Sequence, residues 1–323
     1  MNHTLHVGHG TSFGAVTLFP VWTDAPGRGG LDWSGVGLRV AEREGEPVVG
    51  ELVVQNTGTK PIVLLEGDLL AGGWQDRMVA ASTIVDCREA RVVEVVCVEH
   101  GRWGGDQAHG ARGRRGAASV QYGLDRARHP EPRSGQNDQN CREQHEPAQY
   151  QVWQRIGRFE TELGGTASSS MLDHLGRAPR VDAGRLPGQR GVVVGIGGVV
   201  AWGELFGSTA GLASRWTGLL NAAMLDAQLA PAAKTPASAA RHFVSGWAAM
   251  PAMDTQALAA IAETTLDFDP VPLEHGGDAL GVAPLLSGRG KLSLSGIRHR
   301  DRLVHATVFN TMHPQMEIAG GQV

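Results

Sequence analysis

The chain has 323 residues, 41% of them hydrophobic, and a formal net charge of −4. That length supports one large domain or two modest ones, each with its own core. The acidic balance argues against a dedicated nucleic-acid binder, which carries a basic footprint. Lys60, Lys234 and Lys291 are the only lysines, so positive charge is nearly all arginine. Arginine forks suit phosphate and carboxylate, and a coding bias produces the same composition.

The first ten residues, MNHTLHVGHG, show neither a basic nor an apolar leader region, so no secretory signal is expected. His3, His6 and His9 are spaced by three, a pattern that reads as adventitious metal binding at a terminus. Cys87, Cys97 and Cys141 form no C-x-x-C pair. An odd, unpaired set fits a reducing compartment, and the expected setting is cytoplasmic. The longest apolar run, 191–202, falls well short of the ~20 residues that span a bilayer, so no membrane is expected as a partner.

Runs rich in Val, Ile, Leu and Thr at 13–22, 48–55, 61–70, 78–85 and 91–99 read as strands. Turn formers such as Asn56-Thr57-Gly58 separate them. Their spacing predicts an antiparallel β-sandwich-like half over 1–103. Residues 104–147 turn to Gly, Gln, Arg, His, Asn and Pro and read as a flexible low-complexity insertion. Within it, Arg112, Arg114 and Arg115 either touch an anionic partner or lie on a solvated loop. The remainder, 148–323, reads as a helical half. Val152, Ile156, Phe159 and Leu163 mark one helix face, and 192–202 reads as a central strand. Ser208-Thr209 caps a helix with Leu212, Trp216, Leu219, Ala223 and Met224 inward. Thr235-Pro236 opens another helix that buries Phe243 and Trp247, and Asp254 starts a further one. Runs at 291–297 and 303–309 flank the polar turn Arg298–Arg302 as a C-terminal hairpin. The expected class is therefore α+β, counted as one integrated domain.

Polar residues recur at the ends of these strands, where a buried charge needs a partner or a ligand. Read as one strand, 61–70 puts Ile62, Leu64, Glu66 and Asp68 on one face. Two close carboxylates suit acid/base work or a divalent cation. The same acids could instead be solvated or paired with Arg77. Gly72-Gly73 permits unusual backbone geometry just before Gln75, Asp76 and Arg77. These three either hold a carboxylate or phosphate or lock a structural loop. In 91–99, Val93, Val95, Cys97 and Glu99 share a face. A nucleophilic Cys97 competes with a small buried hydrophobe, and Glu99 and Arg102 are the stronger candidates. Trp103 stacks on a ring or packs in the core. Gly195-x-Gly197-Gly198 lacks the third glycine of a dinucleotide fingerprint, since Val200 stands there. Glu204, at a strand end, and His305, in the last strand, complete the candidates. No G-x-S-x-G elbow, P-loop or H-E-x-x-H occurs.

The segment from Leu64 to Arg77, LLEGDLLAGGWQDR, with VCVEHGRW from Val96 to Trp103, resembles the ARG and rhodanese-phosphatase-superfamily-associated protein domain, where ARG denotes ADP-ribosylglycohydrolase. The stretch 149–153 and the Gly-rich strand before Glu204 also fit. The resemblance implies a link to ADP-ribose, NAD-derived or other phosphorylated small molecules, by association rather than by demonstrated chemistry. The expected function is binding or hydrolysis of such a small anionic ligand. Gly72, Gly73, Gln75, Arg77, Arg102, Trp103 and Glu204 would bind it. Glu66, Asp68, Asp76, Glu99 and His305 would supply acid/base groups or oxygens for a divalent cation. The rival expectation is a non-catalytic interaction module with a structural ion-pair network.

Overall fold

The computed structural model describes residues 4–45, 48–128, 147–249, 268–270, 282–284, 288–300 and 302–317. In chain order, β1 (Leu5–Val7), β2 (Thr11–Phe13) and β3 (Val16–Thr23) come first. Then follow β4 (Leu38–Ala41), β5 (Glu51–Asn56), β6 (Ile62–Leu64), β7 (Asp68–Gly72), β8 (Arg77–Val79), β9 (Thr83–Val85), β10 (Ala90–Cys97) and β11 (Ala108–Arg115). Helices α1 (Ala118–Arg128), α2 (Ala148–Leu163) and α3 (Met171–Arg177) lead to β12 (Gly191–Ile196) and β13 (Val199–Phe206). Helices α4 (Thr209–Ala227) and α5 (Ala237–Ala249) precede β14 (Phe268–Pro270), β15 (Val282–Pro284), β16 (Gly288–Gly290), β17 (Leu292–His299) and β18 (Arg302–Asn310).

Two β-structures carry the molecule. Strands β10-β5-β4-β11-β7-β8 close a six-stranded barrel, and β6 pairs with β9 beside it. The other is a ten-stranded antiparallel sheet with the order β1-β3-β12-β13-β18-β17-β16-β14, with β2 on β3 and β15 on β17. Side-chain alternation explains the barrel. Val40, Leu52, Val54, Leu70, Val79, Val93 and Val95 point inward and form one cluster. Their neighbours Leu69, Met78 and Val96 point outward and pack with Val120, Leu124, Val152, Ile156 and Phe159 of α1 and α2. The large sheet is covered on both faces. Val192, Val194 and Ile196 meet Leu212, Trp216 and Leu219 of α4, whereas Val193 meets Phe243 and Val244 of α5. Burial on both sides is why 191–196 is a continuous apolar run rather than an alternating one.

Several expectations hold. The class is α+β, the 152/156/159 face is buried, and Ser208 caps α4 by accepting the Gly211 N–H at 3.1 Å. Strands β17 and β18 form the C-terminal hairpin, and β18 also pairs with β13 inside the large sheet. The Trp247 side chain and the expected helix from Asp254 lie outside the described residues.

Other expectations are corrected. A closed barrel stands where a sandwich-like half was expected, because alternation is the same in both and closure depends on β11. That strand lies in the stretch read as an insertion. Residues 108–115 pair with β4 and β7, and α1 buries Val120, Tyr122 and Leu124. Strand β11, AHGARGRR, carries no large apolar residue, so composition hides it. Residues 129–146 lie outside the described residues. The run 61–70 is two strands, not one: the chain turns at Gly67, whose φ of +83° favours glycine. Glu66 and Asp68 therefore do not share a strand face.

Helix α4 packs on β11 through Gly218. A Cβ there would stand 2.3 Å from the Gly113 carbonyl oxygen and 2.9 Å from the Arg115 nitrogen. Glycine to alanine inside a helix normally gains up to ~1 kcal/mol. Here the backbone clash wins, and Gly218→Ala is expected to destabilise by about 1–3 kcal/mol. Urea melts of the two proteins check this: the midpoint should fall, not rise.

Candidate functional site

The candidate residues separate into two buried clusters. The first is at one end of the barrel. Arg77 and Cys97 are direct partners across β8 and β10 and share the inner face with Val79 and Val95. His109 pairs with Val40 and Gly72 and is likewise inward. This end of the barrel is thus polar where the middle is apolar. Arg77 is 0% exposed. Its Nη1 donates to Gln75 Oε1 at 3.0 Å, while its Nε and Nη2 have no partner among the described residues. Glu42 Oε1 meets His109 Nε2 at 3.1 Å and accepts the Trp74 N–H at 3.1 Å. Glu42 Oε2 also lacks a partner among the described residues. Burial pushes the His109 pKa down against the pull of Glu42, favouring neutral imidazole. Burial also raises the Cys97 thiol, which donates to the Glu99 carbonyl at 3.0 Å. Cys97 is therefore a packed thiol rather than an activated nucleophile.

Two loops close over this end. Gly72 and Gly73 have φ of +102° and +59°. A Cβ on Gly73 would fall 1.9 Å from His109 Nε2, so only glycine lets the loop lie on the imidazole. Asp76 Oδ1 accepts the Gly72 N–H at 2.8 Å, and Asp76 N–H donates to Glu99 Oε2 at 2.9 Å. Arg102 grips Glu99 with Nε at 2.8 Å and Nη2 at 2.6 Å, and reaches the Gly73 carbonyl at 2.7 Å. Gln75 Nε2 donates to the Glu99 carbonyl at 3.0 Å. The loop before α3 adds Ser168 to Glu99 at 2.7 Å and Ser170 to Asp76 at 3.2 Å. The environments push the two carboxyls apart. Burial, reinforced by Glu99, raises Asp76. Burial also opposes ionisation of Glu99, but the donors from Arg102, Asp76 and Ser168 outweigh it and hold Glu99 below its ordinary value.

The second cluster joins the barrel to the large sheet. Arg215 of α4 clamps Asp68 with Nε at 2.9 Å and Nη2 at 2.8 Å. Arg115 lies between Asp68 Oδ1 at 3.3 Å and Glu204 Oε1 at 2.7 Å, and also donates to the Glu66 carbonyl. Glu204 Oε2 meets His305 Nε2 at 2.8 Å. All five side chains are at most 7% exposed. Burial alone would raise Glu204, but Arg115 and His305 overcome it and hold the carboxyl down at about 2.

Gln75, Arg77, Asp76, Glu99 and Arg102 therefore come together, with Gly72 and Gly73. Asp68, Glu204 and His305 come together elsewhere. Glu66 joins neither set: its carboxylate forms a two-point pair with Arg128, both contacts at 2.8 Å. Of the readings open for Glu66 and Asp68, pairing with arginine is the one present, and the partners are Arg128 for Glu66 and Arg115 and Arg215 for Asp68 rather than Arg77. Among the described residues no group of three His, Cys, Asp or Glu is placed to hold a metal. Trp103 is 53% exposed and rests edge-on against Trp74, centroids 5.4 Å apart. A groove of about 360 Å³ between 180–183 and α4 contains none of these residues. Sequence reasoning missed Glu42, His109, Arg128 and Arg215. Arg215 had a signal: it stands three residues after Leu212 and four before Leu219, within the buried stripe of α4.

The fold and site define an α+β protein whose six-stranded barrel ends on a buried arginine and is bolted by ion pairs to a helix-covered sheet. The chain belongs to the ARG and Rhodanese-Phosphatase-superfamily-associated Protein domain family, whose model matches residues 4–309. That span includes the stretch first read as an insertion. No curated protein and no solved structure matches. Among the described residues no helix is long and apolar enough to cross a membrane.

Glu204→Gln removes the charge that balances Arg115 and is expected to destabilise by about 3–5 kcal/mol. The pH dependence has a definite sign. A depressed carboxyl stabilises above its ordinary value of 4.5, and that contribution is lost as pH falls toward about 2. Melts from pH 7 to pH 2 should show this acid loss in the native protein and a shallower one in Glu204→Gln.

Proposed function

We propose that the polar end of the barrel binds a small anionic molecule, of the phosphorylated or nucleotide-derived kind. The observation that carries this is Arg77: a fully buried guanidinium with two N–H-bearing nitrogens lacking partners among the described residues. An unpaired buried charge is costly, and a planar fork matches a phosphate or carboxylate. Gly72, Gly73 and Gln75 belong to the loop that covers Arg77, and Trp103 supplies an exposed aromatic face beside Arg102. Family membership supports the phosphoryl class by association with ADP-ribosylglycohydrolases and phosphatases, and ADP-ribose or NAD-related compounds are the first to try. In the hydrolytic form of this reading, Asp76, held above its ordinary pKa, is the proton donor, and Glu99 stays ionised. Neighbouring carboxyls with separated pKa values are the usual basis for such a division. A cytosolic setting suits the free thiols of Cys87 and Cys97.

A second reading, a non-catalytic interaction module, draws support from the Asp68–Arg115–Glu204–Arg215 cluster, whose charges are satisfied by one another. Both readings agree that this cluster is structural. They differ over Arg77.

Thermal-shift titrations with pyrophosphate, ADP and ADP-ribose test the proposal. A ligand at a hundred times its Kd adds about 2.7 kcal/mol of stability. Arg77→Met should weaken binding about 10- to 100-fold, the value of a charged hydrogen-bonded contact. It should leave the melting temperature unchanged or raised, since it deletes an under-partnered buried charge. An unshifted native protein, or equal binding by Arg77→Met, would favour the interaction module.

A further inference from the structure

Arg77 is fully buried beneath two loops, so a ligand from solvent meets Arg102 first. The Arg102 side chain is 34% exposed. It is also where the loops are tied together. One guanidinium holds both Glu99 oxygens, the Gly73 carbonyl at 2.7 Å and the Gly104 carbonyl at 3.1 Å, with Asp76 Oδ1 at 3.6 Å. The segments it joins, 72–76 and 99–105, are in close backbone contact. A Cβ on Gly105 would lie 2.5 Å from the Gly73 oxygen. Four glycines in these segments, at 72, 73, 104 and 105, have positive φ between +59° and +146°. The outer contact is the Trp74–Trp103 edge. Beneath, Gln75 links the Glu99 carbonyl to Arg77.

We propose that Arg102 is a latch over Arg77. Glu99 is its resident anion, and an incoming anion that takes its place on Arg102 frees the 72–76 and 99–105 loops and uncovers the Arg77 end of the barrel. This rests on the reading of Arg77 as an anion site. Arg102 is the partly exposed member of the pair, and Glu99 keeps the Asp76 N–H and Ser168 donors if Arg102 turns away, so exchange of one anion for another on Arg102 is feasible without unfolding the barrel. The strands below are held by their own ladders and by the apolar core. Gln149 further secures Cys97 of β10, accepting its N–H at 2.7 Å and donating to its carbonyl at 2.8 Å. Opening is therefore confined to the loops, a local event of lower cost than global unfolding.

Cys97 reports the opening directly. Its side chain is buried on the barrel's inner face opposite Arg77, whereas Cys87 is exposed. The experiment follows thiol labelling by a disulfide reagent in a Cys87→Ser, Cys141→Ser background, at neutral pH without denaturant. Arg102→Gln should label at Cys97 at least about tenfold faster than the parent, because labelling follows the population of the open form. Gly218→Ala, destabilised at a remote contact, serves as the control for global unfolding. Unchanged labelling in Arg102→Gln, or acceleration no greater than a Gly218→Ala protein of equal melting temperature shows, overturns the latch. Pyrophosphate binding is measured in parallel. Binding to the parent with unchanged labelling in Arg102→Gln defeats the latch and leaves the anion site standing. Fast labelling with no pyrophosphate, ADP or ADP-ribose binding to the parent supports loop release by Arg102 but defeats the anion site and with it the exchange step.

Discussion

The architecture depends on one buried charge network. Asp68 begins a barrel strand, Arg115 ends another, Arg215 lies on α4, and Glu204 and His305 belong to the central strands of the large sheet. Each comes from a different element, so the ion pairs fix the barrel against the sheet and helix in a single register. Burying two acids and two arginines is expensive unless every charge is paired and hydrogen-bonded. Here each charge meets an opposite one, Arg215 also donates to the Trp33 carbonyl at 2.7 Å, and Gln121 accepts from Arg115 at 3.1 Å; Arg115 Nε and His305 Nδ1 have no partner among the described residues. The low pKa of Glu204 is the electrostatic trace of this arrangement. Removing any one charge leaves an uncompensated partner in the core, which makes the cluster a matter of specificity as much as stability.

Close backbone packing is the second constraint. The barrel's polar end holds its loops at distances that exclude a side chain at Gly73, and α4 approaches β11 so closely that Gly218 can carry none. These glycines let rigid elements meet. They also place His109, Glu42 and Arg77 under a lid of main chain, where polar groups are sensitive to any partner that enters. The two clusters thus divide the labour. One pairs its arginines with carboxylates and holds the halves together, and the other leaves two nitrogens of the Arg77 guanidinium without a partner among the described residues at the end of the barrel.

Local pattern made much of this legible. The apolar face of α2, the capped α4 and the closing hairpin all follow from periodicity and end signals that a short window contains. The run 192–202, read as one central strand, is instead two antiparallel strands, 191–196 and 199–206, joined by a turn at Gly197-Gly198. The GGWQDR and CVEHGRW motifs also marked the right place: Gln75, Asp76, Arg77, Glu99 and Arg102 do converge. What local pattern could not give was the partner of each charge. Glu66 and Asp68 stand two residues apart yet face different arginines, because Gly67 turns the chain between them. Arg115 looked like part of a solvated basic loop, and it is among the most buried side chains in the molecule.

By itself the sequence determined the mixed α+β class, the family, the main helices and strands, and the identity of the chemically rich loops. Each of these is written in spacing along the chain, in apolar periods of two or near 3.6 and in turn-forming residues. Tertiary structure alone decided that the first half closes into a barrel, that 108–115 supplies a strand of it, and that the polar residues split into a structural bolt and a candidate binding end. The physical reason is that strand pairing and charge pairing join residues as far apart as Asp68 and Arg215. A charged residue's value depends on which opposite charge reaches it in the dry interior, and nothing in its immediate neighbours along the chain records that.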